Sequence, residues 1–530
     1  MLPVRESPLR TTNLLLVSLL LTLSGCGASG EIFAGDGKSR TLGEPPDDDD
    51  VAANDDDLVG DDDDSTPVGD DDDSIPVGVL AAGIDIVKVT FNQGVQTTLM
   101  ENDSAPNDLP LVTGRAGLLR VQVDLQDNFA PRNIVGSLHW DPDDGELEDL
   151  NLQDTLLPLG PSEDGDRSST FEFLVPGTYV KNGAYWTIEL LEEDGGSGPG
   201  STDLARWPRE QDAQIFLAYD TGPVRLLVVP IAYNADGSGR LPDTSPTQLT
   251  ILSDWLFRTY PASDIEITVD EPFELSYTIS ANGNGWGDLL YDMTDLRASR
   301  EVPGDTYIYG MFRPTENAGQ FCGGGCVAGL SWRADNPNDV WARASIGLGY
   351  SGEGAAGTLI HEIGHAHGRA HANCGVGNPD PSYPHNNGDL GVWGWDVISG
   401  TLRHPTEYKD MMGYCTPRWV SDYTWQALHD RVSHVNANFE WVDAPPELPW
   451  RVIGVGVNGR KRVRGTIPVM GIPRGDAVPV KLLDGSGAVV DTTVGRYRDF
   501  DHIAGGTLLV PEPTANVATL LVDGELLPIP

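Results

Sequence analysis

An α/β (α+β) unit flanked by all-β units, within a multidomain chain, is the fold class that this sequence predicts. Two features of pattern and one of size predict it. Short alternating segments of period two run from Ile84 to about residue 200, helical spacing mixed with apolar runs occupies residues 223–442, and alternation returns after 446. At 530 residues the chain is too long for one ordinary domain, and 39% apolar residues with 13 Trp are enough to build real cores. A wholly disordered chain is thereby excluded. The formal charge of -46 disfavours nucleic acid and anionic membrane surfaces as partners, and no run of eighteen or more apolar residues is present to span a bilayer.

Residues 1–25 read as a signal peptide, because Arg5 and Arg10 precede a short apolar run over residues 14–23. The run ends in Leu23-Ser24-Gly25-Cys26, which resembles the bacterial lipobox. That resemblance implies cleavage before Cys26 and acylation of its thiol; an ordinary secretory signal is the alternative. Either reading exports the protein, and the first makes it a membrane-anchored lipoprotein of the bacterial cell envelope or surface. Residues 26–77 hold sixteen Asp and two Glu against Lys38 and Arg40, in Asp runs separated by Pro-Val-Gly spacers. Like charges at this density repel and extend, so the segment reads as a disordered tether. It lacks the spaced ligands and terminal Glu of an EF-hand.

Residues 78–200 predict a β-sandwich, with residues 84–91, 118–125, 170–174 and 185–191 as strands and the glycine-rich stretch at 195–200 as a linker. His139, alone beside Trp140, reads as a packed histidine. In residues 223–442, the run 224–231 suits a mostly buried strand, Leu249, Leu252 and Leu256 recur at helical spacing, and residues 265–269 and 307–312 suit further strands. Leu289, Met293 and Leu296 predict a second helix. Residues 341–348 predict one more strand, before a helix opening near Gly354. Residues 446–530 predict a small accessory β-domain.

The chemistry lies in His361-Glu362-Ile363-Gly364-His365-Ala366-His367-Gly368-Arg369-Ala370-His371. His361 and His365, four apart, share one helix face, as two ligands of one metal require. On an unbroken helix His371 would lie about 9 Å beyond His365 and rotated by roughly 240°, out of reach. The helix must break if His371 is a ligand, and Gly368 stands where a positive φ would break it. His367, about 200° from His365, faces away.

These residues match H-E-x-x-H-x-x-G-x-x-H at every fixed position and so resemble the metzincin clan of zinc metallopeptidases; a chance match is on the order of 10⁻⁵ per chain. Downstream, Asp410-Met411-Met412-Gly413-Tyr414-Cys415 is similar to the metzincin Met-turn. The resemblance implies Met412 as the floor beneath the imidazoles, Met411 as a poorer choice, and Tyr414 as a fifth zinc ligand or an oxyanion stabiliser. Ser421 offers an N-cap to a helix over residues 422–435, similar to the last helix of a metzincin catalytic domain. The resemblance further implies Zn²⁺ on His361, His365 and His371 with an open position for water, and Glu362 as general base. Residues 341–348 would be an edge strand that pairs with an extended substrate, an internal strand being the alternative.

Apart from Cys26, four cysteines remain, and export favours disulfides over thiols. Cys322 and Cys326 enclose three glycines that let a short loop close. A Cys374–Cys415 bridge would tie the third ligand's loop to the Met-turn; a structural four-cysteine zinc site is the rival. No cysteine in residues 78–222 could act as a zinc-blocking switch. The reading is a zinc metalloendopeptidase acting on extracellular or envelope proteins or peptides. The alternative is a surface adhesin or glycan-binding protein with a vestigial metal centre, against which intact Glu362 counts.

The lipobox reading is checked by fractionation. Cys26→Ser should move the protein from the membrane pellet to the soluble fraction, since an Asp-rich tether has no affinity for anionic lipid. Retention in the pellet after a high-salt wash would contradict the anchor.

Overall fold

The computed structural model describes residues 78–210, 213–438, 447–514 and 516–530. The segments read as a signal peptide and an Asp-rich tether, Cys26 among them, lie outside the described residues. The described chain is multidomain and strand-rich.

Its first part is a pair of antiparallel sheets. One orders the strands Gln96–Glu101, Ile84–Asn92, Gly117–Leu125 and Phe171–Val175. The other orders Leu150–Leu156, Ile134–Asp141, Tyr185–Glu192 and Arg206–Trp207, and Gln214–Ile215 also pairs with Tyr185–Glu192. Alternation does what the sequence implies: in Ile134–Asp141 every second residue is buried, and Trp140 meets Phe216 at 4.7 Å between ring centroids. His139 is a surface partner of Asn151, at 3.0 Å. Residues 195–200 do not leave the sandwich as a linker. Gly198 N–H donates to Glu192 Oε1 at 3.1 Å, and Ala205, Trp207, Phe216 and Ala218 complete the same core. The two closing strands have two residues each, too short to show a period.

The central unit is a mixed sheet between helices. Val224–Tyr233 pairs in parallel with Ile265–Val269 on one side and Thr306–Phe312 on the other, and Thr306–Phe312 pairs in parallel with Ala344–Leu348. Inner strands covered on both faces need continuous apolar runs, and Ala344–Leu348 is buried at every position. That strand is internal, which corrects the edge-strand expectation for residues 341–348. The edge is Gly329–Ser331, antiparallel to Ala344–Leu348. Its three residues are too few for a pattern to expose.

One face of the sheet packs on the helices Pro246–Thr259, Glu353–Ala366 and Asp422–Asn438 through Leu252, Leu256, Ile360, Ile363 and Leu428. Ser421 caps the last of these, its Oγ accepting from Thr424 N–H at 3.1 Å. The opposite face packs on the helix Trp286–Ser299 through Leu289, Leu290 and Met293.

A seven-stranded antiparallel sheet follows from Glu447. It is docked on the central unit: Trp450, Val452 and Leu509 enter the core over Trp286–Ser299, and the hydroxyls of Tyr291 and Thr507 lie 2.6 Å apart. Its strands Val489–Asp499 and Gly506–Pro511 pair, and the loop between them, residues 500–505, reaches the motif helix.

The sandwich is joined to the central unit by Arg115, which is fully buried. Its guanidinium donates to the carbonyls of Gln93 at 2.7 Å and Tyr260 at 3.2 Å, and it lies over the Phe257 ring at 4.3 Å. Removing the donors strands buried acceptors from two domains. Arg115→Met should therefore destabilise the protein by about 2–4 kcal/mol in urea denaturation. A change within about 0.5 kcal/mol, the size of an ordinary surface effect, would show that the junction is held elsewhere.

Candidate metal centre

The helix Glu353–Ala366 carries His361, Glu362 and His365, all buried, while its Leu359, Ile360 and Ile363 face the core. It ends where the sequence requires. Gly368 takes a φ of 87°, Gly368 N–H donates to the His365 carbonyl at 2.7 Å, and Arg369 N–H donates to the Gly364 carbonyl at 2.9 Å. This pair of bonds is a Schellman ending, and it redirects the chain so that His371 returns to the first two histidines. A side chain at Gly368 would come within 2.7 Å of the Ala334 carbonyl oxygen. His367 faces away, stacked on Tyr307 at 4.2 Å between centroids, as its helical angle implies.

The three motif imidazoles converge. His365 Nε2 lies 3.2 Å from His361 Nε2 and 3.2 Å from His371 Nε2. His361 Nδ1 donates to the Met411 carbonyl and His365 Nδ1 to the Arg369 carbonyl, each at 2.7 Å. Those bonds place the protons on Nδ1 and leave the facing Nε2 atoms as bare lone pairs. Burial also holds His361 and His365 well below the usual histidine pKa and pushes His371 down to about 3, so all three rings are neutral, and in His361 and His365 the single ring proton sits on Nδ1, away from the facing nitrogens. Bare lone pairs at this distance repel unless a cation lies between them. Two ligands on a tetrahedral ion with metal–nitrogen bonds of about 2.0–2.1 Å lie about 3.3–3.4 Å apart, so the set fits a metal ion of the kind imidazole favours.

Glu362 is 2% exposed, and burial raises its carboxyl pKa. Its Oε2 has no protein partner. Gly329 of the edge strand passes so close that a side chain there would sit 2.3 Å from Glu362 Oε1. Below the helix, Gly364 is similarly approached by Met412, whose Sδ would be 2.4 Å from an added Cβ.

The turn at residues 410–415 is braced from several sides. Both oxygens of the buried Asp410 carboxylate accept backbone N–H groups, from Met412 at 2.7 Å and Ser421 at 2.9 Å. Met411 and Met412 are both buried. Tyr414 N–H donates to the Cys374 carbonyl at 2.8 Å, and the Cys374–Cys415 disulfide ties the turn to the chain just past His371. Cys322 and Cys326 form the second, local disulfide. A hydrogen-bond chain also runs to the sandwich. Trp419 Nε1 donates to the Gly94 carbonyl at 2.7 Å, Met411 N–H donates to the Trp419 carbonyl at 2.6 Å, and the Met411 carbonyl holds His361.

Tyr414 is half-exposed beside the cluster, its ring centroid 5.2 Å from that of His371. Its hydroxyl bonds to His502 Nδ1 at 2.7 Å. His502 is the residue that sequence reasoning missed. It lies in the loop at 500–505, and one ring nitrogen from each of His361, His365, His371 and His502 falls within 4.8 Å of the others. No periodicity or spacing links it to the motif. A cleft of about 630 Å³ opens in front of the cluster, lined by Gly329, His361, Glu362, Tyr414, Arg418 and His502 among others.

Residues 333–421 are similar to the Peptidase M66 family, a stretch that takes in the histidine motif and the turn at 410–415 and stops short of His502. The match supports a metallopeptidase. No curated protein matches the chain.

Gly368→Ala tests the ending that brings His371 home. A Cβ in the left-handed region costs about 1–2 kcal/mol before the contact with Ala334 is counted, so the variant should be less stable and hold less metal than the parent. Urea denaturation and elemental analysis read the two effects; unchanged values for both would separate the glycine from the site.

Proposed function

We propose that this protein is a zinc-dependent metalloendopeptidase of metzincin type, exported and anchored at the bacterial cell envelope through Cys26, that hydrolyses peptide bonds of extracellular or envelope proteins. The observation that carries the reading is the convergence of three neutral imidazoles, two of them with a bare Nε2, with Glu362 beside them and one carboxylate oxygen without a protein partner.

A zinc ion bound there supplies Lewis acidity toward a water and the scissile carbonyl. The remaining work falls to the chain. Glu362, whose burial raises its proton affinity, takes the proton of the attacking water at its carboxylate and returns it to the leaving amine. The free side of Gly329–Ser331 offers main-chain donors and acceptors to an extended peptide, and the missing side chain at Gly329 lets this strand pass directly beside Glu362. Tyr414, at the cleft wall, has a hydroxyl able to stabilise the developing oxyanion once it is released from His502. The Glu362 environment weighs against a vestigial centre, because an adhesin has no use for a buried carboxylate with an unpaired oxygen.

The full chain should degrade casein in a manner abolished by a zinc chelator. Glu362→Ala should keep its zinc and lose about 10²–10⁴ of the turnover, because it removes proton transfer without touching a ligand. A variant that retains parental turnover with parental zinc would overturn the peptidase reading.

A further inference from the structure

The C-terminal β-sheet sends one side chain into the metal centre. The ring centroid of His502 lies 5.1 Å from His361, 5.0 Å from His365 and 4.9 Å from His371. The three motif rings are separated from one another by 4.8, 5.2 and 4.7 Å. Six nearly equal separations among four rings describe a tetrahedron. A histidine that merely brushed the site from outside would be nearer to one ring than to the others.

The orientation of the ring agrees. His502 Nδ1 is engaged by the Tyr414 hydroxyl at 2.7 Å, so Nε2 is the atom turned inward. Nε2 is buried without a hydrogen-bond partner, and the carboxylate closest to it is Glu362 Oε1 at 3.4 Å. The loop is held on both sides. Asp501 pairs with Arg333 at 3.2 Å, Arg498 donates to the Arg333 carbonyl at 2.7 Å, and Phe500 packs on Trp332 at 5.7 Å between centroids. Ile503 lies against Gly283, where an added Cβ would meet it at 2.6 Å.

Resting on the zinc-peptidase reading, we propose that His502 is a fourth metal ligand, through which the C-terminal β-domain closes the position that catalysis requires and holds the enzyme latent. A catalytic zinc site keeps three protein ligands and an open position, whereas a four-ligand site is closed. His502 also lines the cleft beside Glu362, its Nε2 3.4 Å from Glu362 Oε1, and it occupies the Tyr414 hydroxyl. Turnover then comes from molecules in which the loop at 500–505 has withdrawn, and whatever displaces this loop, such as a protein substrate entering the cleft, switches the enzyme on.

The test uses the full chain with Co²⁺ in place of zinc and azide as a probe of an open coordination position. The parent's visible spectrum should be unmoved by azide, while His502→Ala should respond to azide and recover the parental spectrum when free imidazole is added. With zinc, His502→Ala should bind at least about tenfold more weakly in competition with a chromophoric chelator, and should hydrolyse casein at least about tenfold faster. A parent that responds to azide as readily as the variant overturns the proposal, and this measurement does not depend on the variant folding. Equal zinc affinity in parent and variant also overturns it, as does lost turnover in His502→Ala, which would make His502 an aid to catalysis. A parent that binds neither zinc nor cobalt overturns the peptidase reading beneath it.

Discussion

Bare nitrogen lone pairs aimed at one another inside a protein are tolerable only around a cation, and much of the central unit is arranged to create that situation. Two of the rings are aimed from behind: a carbonyl of the methionine turn fixes His361, and a carbonyl beyond the helix end fixes His365. The glycine at 368 ends the helix so that a third ring can return, and the glycine at 364 lets a methionine sulfur lie directly beneath the helix. Change of size at these glycines has nowhere to go, because backbone or sulfur already occupies the space a methyl group would need.

The surroundings explain why the arrangement holds without strong helix capping. Gly352 precedes the motif helix and offers no side-chain cap; Gln248, from a neighbouring helix, accepts its N–H and donates to its carbonyl. Asp410 plays the matching part below, satisfying two N–H groups of separate segments with one buried carboxylate. Polar groups are therefore placed by partners outside the helix they serve, and the disulfide at Cys374 and Cys415 adds a covalent limit to how far the segment after His371 and the turn can separate.

That distribution governs what could be read from the sequence. The motif helix, its break and the turn were readable because spacing on a helix and the conformational freedom of glycine are local properties. Both disulfides are as the sequence reading had them, since one closes over glycines and the other joins two segments already assigned to the same site. What escaped was nonlocal. The three-residue edge strand and the two-residue strands that complete the sandwich carry no period, so their pairing is decided by the sheets they join. His502 escaped for the same reason: it belongs to a hairpin loop whose position is set by Trp450, Val452 and Leu509 docking on a helix far from the motif.

The contact from Gly94 through Trp419 and Met411 to His361 has a consequence for how such proteins can be assembled from parts. The sandwich is in sequence a separate stretch of strands that precedes the central unit. Here two indoles of the central unit, Trp419 and Trp425, donate to carbonyls that the sandwich supplies, at Gly94 and Pro110. Val95 and Val112 cover the same indoles. Excision would leave two large rings uncovered and two donors unmatched directly behind the turn that aims His361. The sandwich is thus a rear wall of the central unit, and a replacement would have to reproduce its loops rather than merely its fold.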